Sequence, residues 1–218
     1  MNQITFKFPF KTSYYKEDFY VSSNNFGAYK LIESWPDWPG KNINIFGPSG
    51  SGKTHLANIL KKKIKSIFVN SKEINNNFLQ KLKDTKCVII DNYKNDIEEK
   101  LFYSILNEVS QENLHILINS QTPLLNFQVN LKDLKSRLNN FTTLGIEMPT
   151  DDLLRAIITK SFSDKQIKVN VRVLEFILKN IDRSYEKIFK FISDLDIASL
   201  SAGKSININL VKKILKNE

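Results

Sequence analysis

The sequence is poor in cysteine, histidine and long apolar runs. One cysteine, Cys87, among 218 residues excludes a disulfide framework and a cysteine metal cluster. The two histidines, His55 and His115, are too few to form a histidine metal site without carboxylates. No apolar run approaches the roughly 18 residues that span a bilayer, and no charged segment followed by an apolar one indicates a secretory signal. We therefore expect a globular, cytoplasmic protein that does not enter a membrane.

Arginine is scarce although the chain is basic. The net charge is +9, from 32 basic and 23 acidic residues, but only four of the basic residues are arginine. Surfaces that bind phosphate backbones usually contain arginine, because its planar fork matches a phosphate group. The densest basic run, 61–65, falls on the solvent side of a predicted helix. Direct binding of DNA is therefore expected to be absent or weak.

Short apolar segments alternate with helical patterns through the first two thirds of the chain. Strands are predicted at 42–46, 67–69, 87–91, 115–118 and near 144–148, and helices at 53–64, 97–109 and 132–138, with a polar helix ending near Leu82. Apolar strands joined by helices are typical of a parallel sheet covered on both faces. The sequence predicts an α/β fold with a parallel five-stranded sheet between helices.

The pattern changes at Pro149, after which only helices are predicted. Thr150 fits the N-cap of the first of them, and two aspartates occupy its first turn, where the helix dipole favours negative charge. Further helices are predicted at 171–180, 184–200 and 209–216. We expect a tail over 1–18, an α/β core over 19–149 and a small all-α lid domain over 150–218.

A complete phosphate-binding motif lies between the first strand and the helix that follows it. It has the form G-x-x-x-x-G-K-[ST] and comprises Gly47, Pro48, Ser49, Gly50, Ser51, Gly52, Lys53 and Thr54. The glycines let backbone N–H groups face a phosphate chain at the helix N-terminus. Lys53 is suited to reach the β- and γ-phosphates and Thr54 to bind Mg²⁺. The motif, a P-loop, predicts nucleotide binding.

Polar residues end two further strands. Asp91 follows four apolar residues, and a carboxylate there can hold the hydration shell of Mg²⁺. The next residue is Asn92, whose amide cannot accept a proton, so intrinsic hydrolysis is expected to be slow. Asn119 and Ser120 end the fourth strand. They either contact the γ-phosphate or orient water, or they are ordinary turn residues.

The P-loop, the Asp91 strand, the polar strand end and the helical lid together resemble an AAA+ ATPase. The chain is most similar to the DnaA-related Hda-type proteins, in their alphaproteobacterial form. The segments that carry this resemblance are 19–28, 35–39, 47–57, 90–92, 134–138, 194–199 and 211–216. It implies ADP or ATP as the cofactor, with Asn25 and His55 as further nucleotide contacts. It also implies inactivation of the replication initiator DnaA.

The resemblance assigns two partner-binding features. Gln3, Ile4, Phe6 and Phe8 are similar to the glutamine-led peptide that docks on the DNA sliding clamp; without the resemblance they would be a first strand or a frayed tail. Arg137 matches the arginine finger, which stabilises charge on a neighbour's γ-phosphate. Otherwise it caps a helix or pairs with Asp133. The resemblance also implies that copies of the chain can form homo-oligomers through the packing edges of their AAA+ domains.

The lid is the point at which the sequence departs from the family. Glu186 occupies the position where an arginine is expected to touch the nucleotide. Either Arg183 or Lys187 replaces that contact, or the contact is lost.

Two absences weigh against an initiator. The segment between Val69 and Cys87 has room for one helix only, and no helix-turn-helix pattern follows the lid. The predicted function is regulation of replication initiation. The alternatives are an autonomous ATPase of helicase-loader type and a nucleotide-dependent adaptor without catalysis.

Overall fold

The computed structural model describes residues 14–202 and 205–216. The described chain divides into two compact units, an α/β unit over Tyr14–Glu147 and a helical unit over 148–216. The predicted clamp-docking residues, Gln3, Ile4, Phe6 and Phe8, lie outside the described residues. Tyr14 and Tyr15, which sequence analysis assigns to the tail, lie against the α/β unit.

Five parallel strands form the sheet of the α/β unit. They are β1 (Asn42–Phe46), β2 (Ser66–Asn70), β3 (Cys87–Tyr93), β4 (His115–Ser120) and β5 (Thr142–Gly145), in the order β2-β3-β4-β1-β5. The residues at the centres of β1, β3 and β4 are mostly apolar because both faces of the sheet are buried there. Since β1 lies between β4 and β5, the segments that follow β1, β3 and β4 meet at one edge of the sheet.

Helices cover the two faces of the sheet. They are α1 (Phe26–Glu33), α2 (Lys53–Lys63), α3 (Glu99–Gln111) and α4 (Lys132–Leu138). The alternation of side chains along each strand explains the two cores. Val88 and Ile90 of β3 pack in the same core as α3 and α4, whereas Cys87 and Ile89 pack in the core of α1 and α2.

Three predicted elements differ in detail. The predicted polar helix before Leu82 is instead two 3-10 helices, Ser71–Glu73 and Asn76–Leu82, because Asn70 and Asn75 use their side chains to cap short turns. Strand β3 continues past Asp91 to Tyr93, with a register shift against β4. Strand β5 begins earlier than predicted, since its threonines pair with β1.

The helical unit contains α5 (Asp151–Asp164), α6 (Val171–Asn180), α7 (Tyr185–Ala202) and α8 (Ile208–Leu215). Thr150 caps α5 as predicted, accepting the Leu153 N–H at 3.4 Å. The helical unit has its own apolar core, to which all four helices contribute side chains. The predicted α/β fold with a small helical lid is confirmed. None of the described helices is long and apolar enough to cross a membrane.

Candidate nucleotide site and the opposite edge of the sheet

The P-loop connects the end of β1 to the start of α2. Gly52, the N-cap of α2, has φ +94°, a conformation that L side chains rarely adopt. A Cβ atom at Gly52 would also lie 2.9 Å from the Phe19 ring. The start of the loop is tied to β4, because Gly47 donates its N–H to the Ser120 carbonyl at 3.2 Å. The loop is therefore held in its curled form by both neighbouring segments.

Lys53 points into the curl of this loop. Its Nζ donates to the carbonyls of Gly47 at 2.7 Å and Pro48 at 2.8 Å. Burial lowers the pKa of Lys53 to about 8, and the charge of Asp91 opposes this shift. The ammonium group thus lies where backbone oxygens concentrate, and an anionic ligand there would favour its charged form.

Asp91 is the centre of a buried polar cluster. Thr54 donates from Oγ1 to Asp91 Oδ2 at 2.8 Å, and Asn119 donates from Nδ2 to Asp91 Oδ1 at 2.8 Å. Asp91 is 6% exposed and Asn119 is fully buried. Among the described residues no hydrogen-bond partner faces Asn119 Oδ1. The structure therefore brings the predicted trio of Thr54, Asp91 and Asn119 together. The Oδ1 atom of Asn119 is still able to accept a hydrogen bond.

The oxygens of Thr54 and Asp91 fit a hard cation such as Mg²⁺, which takes one or two protein oxygens together with phosphates and water. Within 14–202 and 205–216 no group of three or more His, Cys, Asp or Glu residues could hold a metal without other ligands. The donor set of this cluster suits an ion that arrives with a nucleotide.

Asn92 turns away from that cluster. Its backbone has φ +61°, at the point where the pairing of β3 with β4 shifts register. The side chain is exposed, while its carbonyl accepts a hydrogen bond from Ser71 Oγ at 3.0 Å. Asparagine tolerates this left-handed conformation better than most residues. Asn92 therefore has a local structural role at the strand end.

The two further candidate nucleotide contacts hold the segment before α1. Asn25 donates from Nδ2 to the Tyr20 carbonyl and accepts the Ser22 N–H, both at 2.9 Å. His55 Nε2 lies 2.6 Å from the Tyr15 carbonyl, and its ring contacts Phe19 edge-on. Both side chains are therefore engaged in shaping the chain that passes beside the P-loop.

Asn44 is a buried polar residue that sequence analysis did not single out. It is fully buried in the middle of β1. Its Nδ2 donates to the Ile118 carbonyl at 3.0 Å and to Ser120 Oγ at 2.9 Å, and its Oδ1 accepts the Leu124 N–H at 3.1 Å. An asparagine between two buried isoleucines, Ile43 and Ile45, was the available signal. It fixes the end of β4 beside the P-loop strand.

Arg137 lies at the opposite edge of the sheet. It is half-buried in the last turn of α4 and lines a pocket with Lys41 and Asn42, at the start of β1. The P-loop follows the other end of β1, about 13 Å away along a five-residue strand. No carboxylate pairs with Arg137 within the described part of the chain, so the alternative pairing with Asp133 is not formed. Arg137 therefore cannot serve this chain's own P-loop.

The segment 35–39, which contains both tryptophans, borders the same edge of the sheet. Trp35 and Trp38 contact each other and His115, the first residue of β4, in edge-on geometry. Trp38 also donates from Nε1 to the Leu31 carbonyl at 2.8 Å. Burial, together with the charge of Lys41, lowers the pKa of His115. The segment anchors α1 to the start of the sheet.

In the lid, both candidate replacements for the expected arginine pair with carboxylates. Arg183 lies 2.9 Å from Asp151, and Lys187 lies 2.6 Å from Asp182. Glu186 is exposed. Exposed pairs of this kind contribute little to stability.

Two family models match different parts of the chain. The model described as Hda, lid domain, matches residues 151–215, and the model described as RNA helicase matches residues 43–135. Among curated proteins, the chromosomal replication initiator protein DnaA of Buchnera aphidicola is 29% identical, over 99% of this chain and 53% of its own length. The chain thus spans about half the length of the curated relatives it matches.

Solved structures of DnaA are similar in fold. Domain III of the Thermotoga maritima DnaA matches with a TM-score of 0.79 at 21% identity, covering 96% of this chain and 98% of that one. The AMPPCP-bound DnaA of Aquifex aeolicus matches with a TM-score of 0.67 at 20% identity, covering 83% of this chain and 64% of that one. The fold of the chain is therefore that of the DnaA AAA+ domain, and its residues 151–215 are similar to the lid domain of Hda.

Proposed function

We propose that this chain regulates the initiation of DNA replication by promoting ATP hydrolysis in DnaA. In this mechanism the chain binds an adenine nucleotide in its own P-loop and docks on the sliding clamp through the segment from Gln3 to Phe8. It then presents Arg137 to the ATP of a DnaA molecule. The observation that carries the proposal is the location of Arg137 at the sheet edge opposite the P-loop.

Nucleotide binding is supported by the geometry around Lys53 and Thr54. Backbone N–H groups at the start of α2 face the phosphates, and Lys53 neutralises them. The AMPPCP bound to the Aquifex aeolicus DnaA supports adenine nucleotide as the ligand. Thr54 and Asp91 would hold Mg²⁺, Asp91 through water, and the ion would supply positive charge to the phosphates.

Arg137 would act only across a protein interface. Transfer of a γ-phosphoryl group develops charge on its oxygens, and a guanidinium group offered by a second molecule stabilises that charge. Arg137 is suited to this because no carboxylate within the described residues neutralises it. The chain then completes the active site of DnaA and needs no rapid hydrolysis of its own. The exposed amide of Asn92 is consistent with slow hydrolysis, since it cannot accept a proton from water.

The experiment measures the conversion of ATP to ADP on DnaA in the presence of clamp and this chain. We expect Arg137→Ala to reduce the stimulated rate by about 10³-fold or more. Arg137→Lys should recover little, because an ammonium group lacks the planar fork. Arg172→Ala, which removes an exposed lid arginine, is the matched control and should behave as the unmodified chain.

Clamp docking is tested separately in the same assay. A Gln3→Ala, Phe6→Ala variant should lose clamp binding in calorimetry and lose stimulation at low protein concentration, while it retains ADP binding. Stimulation that survives Arg137→Ala would rule out the finger mechanism. Rapid turnover by the isolated chain would favour the autonomous ATPase.

A further inference from the structure

We propose that Lys41 is a second phosphate-contacting cation beside Arg137, and that the pocket they line receives the terminal phosphate of the nucleotide bound to the partner. This inference rests on the proposed function and adds a residue to it. The pocket lies at the start of β1 and β4, at the amino-terminal edge of the sheet.

The pocket has the chemistry of an anion site. Its lining includes two cationic side chains, Lys41 and Arg137, and the polar side chains of Ser110 and Asn113. No carboxylate is among the residues that line it. Buried apolar side chains of α3 and the following segments, including Leu106 and Phe141, form the rest of its wall. An anion that enters would meet two positive charges next to a wall of low dielectric, where their attraction is strengthened.

Lys41 is held in place by the end of α3. Its Nζ donates to the Asn113 carbonyl at 3.2 Å and also contacts the Asn113 side-chain oxygen. Asn113 has φ +57° and lies two residues after the end of α3. An ammonium group at a helix C-terminus is stabilised by the helix dipole. Lys41 is therefore oriented at the pocket, and no carboxylate of the described residues pairs with it.

Arg137 and Lys41 would interact with the phosphate in different ways. The guanidinium group of Arg137 can make two parallel hydrogen bonds to phosphate oxygens, whereas the compact ammonium group of Lys41 supplies a point charge. Both lie on the edge that faces away from this chain's P-loop, so both would act on the partner's nucleotide. Lys65, which is exposed just before β2, lies on the same edge but does not line the pocket.

The test compares variants in single-turnover hydrolysis of ATP on DnaA, with this chain at saturating concentration. We expect Lys41→Ala to lower the rate by about tenfold to a hundredfold, the range for losing one charge-assisted hydrogen bond. Lys41→Arg should recover part of the rate because it keeps the charge. Lys65→Ala, the matched control, should stay within about twofold. A purely structural role for Lys41 would instead lower the unfolding temperature and the affinity for DnaA, so both are measured beside the rate.

The outcomes separate the inference from the proposed function. If Arg137→Ala lowers the rate and Lys41→Ala does not, the pocket inference is wrong and the finger mechanism stands. If neither variant lowers the rate, both are wrong. If Lys41→Ala and Lys65→Ala lower the rate equally, general charge attraction accounts for the effect and the pocket inference is overturned. A loss confined to Lys41→Ala, with unchanged unfolding temperature and DnaA affinity, supports it.

Discussion

Thr54 Oγ1 donates to Asp91 Oδ2 at 2.8 Å, which joins the first turn of α2 to the end of β3. Because Asp91 also accepts a hydrogen bond from Asn119, both carboxylate oxygens have a defined direction. The geometry predicts that Asp91→Asn, which keeps the size but removes the charge, weakens Mg²⁺-dependent ADP binding by about 10–100-fold.

Titration calorimetry with ADP, with Mg²⁺ and then with a chelator, checks this prediction. Asp84→Asn is the matched control, since Asp84 is exposed before β3 and its left-handed backbone suits asparagine. It should bind as the unmodified chain does. Equal losses with and without Mg²⁺ would contradict a role for Asp91 at the ion.

The lowered pKa of Lys53 predicts a pH dependence of nucleotide binding. In the free protein this pKa is about 8, and bound phosphates favour the charged form, so the complex has a higher pKa. Binding therefore takes up a proton as the pH rises above about 8. The affinity should be constant below that pH and fall above it, by at most about tenfold per pH unit.

Calorimetry at pH 7.5, 8.5 and 9.5, in buffers of different ionisation enthalpy, measures both the affinity and the proton uptake. Lys53→Arg is the control, because arginine stays charged over this range. A flat affinity for the unmodified chain, or the same decline in Lys53→Arg, would exclude Lys53 as the titrating group.

The buried amide of Asn44 predicts a large stability effect. Asn44→Leu conserves the approximate size but leaves the Leu124 N–H without its acceptor and removes two donations to the end of β4. The free energy of unfolding should fall by about 2–4 kcal/mol. Urea denaturation followed by circular dichroism gives this value. Asn180→Leu, at an exposed position at the end of α6, should stay within about 0.5 kcal/mol.

Two features favour glycine at position 52, namely its positive φ and the close approach of the Phe19 ring. A double variant can separate their effects. Gly52→Ala should weaken ADP binding and lower stability by about 1–2 kcal/mol, because φ +94° is unfavourable for alanine and the added Cβ meets Phe19. Adding Phe19→Ala removes the contact with the ring, but it also removes the ring's contacts with Tyr29 and His55, so the double variant is compared with Phe19→Ala alone. Gly40→Ala is the control, since the nearest atom to its Cβ lies at an ordinary 3.6 Å. Full recovery in the double variant would show that backbone conformation contributes nothing.

The parts of the fold that follow from hydrophobic patterning were predictable. The strands around Ile43, Val88 and Leu117 are apolar because both faces of a parallel sheet are buried, and the P-loop is defined by its spacing. The trio of Thr54, Asp91 and Asn119 also follows, since parallel strands end at one edge.

Other features depend on contacts that sequence patterns do not encode. The asparagines at 70 and 75 compete locally for backbone N–H groups, which converts a predicted helix into 3-10 turns. The contacts of Asn44 and Lys41 depend on which strand and helix ends are neighbours. The left-handed backbone of Asn92 depends on the register shift between β3 and β4. Tertiary pairing, not local propensity, decides the surroundings of Asn44, Lys41 and Asn92, whereas the 3-10 turns are a local effect of the two asparagines.

The location of the P-loop and Arg137 on opposite edges of the sheet fixes the symmetry of any complex that joins them. Such a contact uses different surfaces on its two members, so it is heterologous and has no two-fold axis. In such a pair, the P-loop of one member and the corresponding arginine of the other member do not contact the partner. The assembly therefore has two different ends. It stops growing at a member that lacks one of the two contact surfaces.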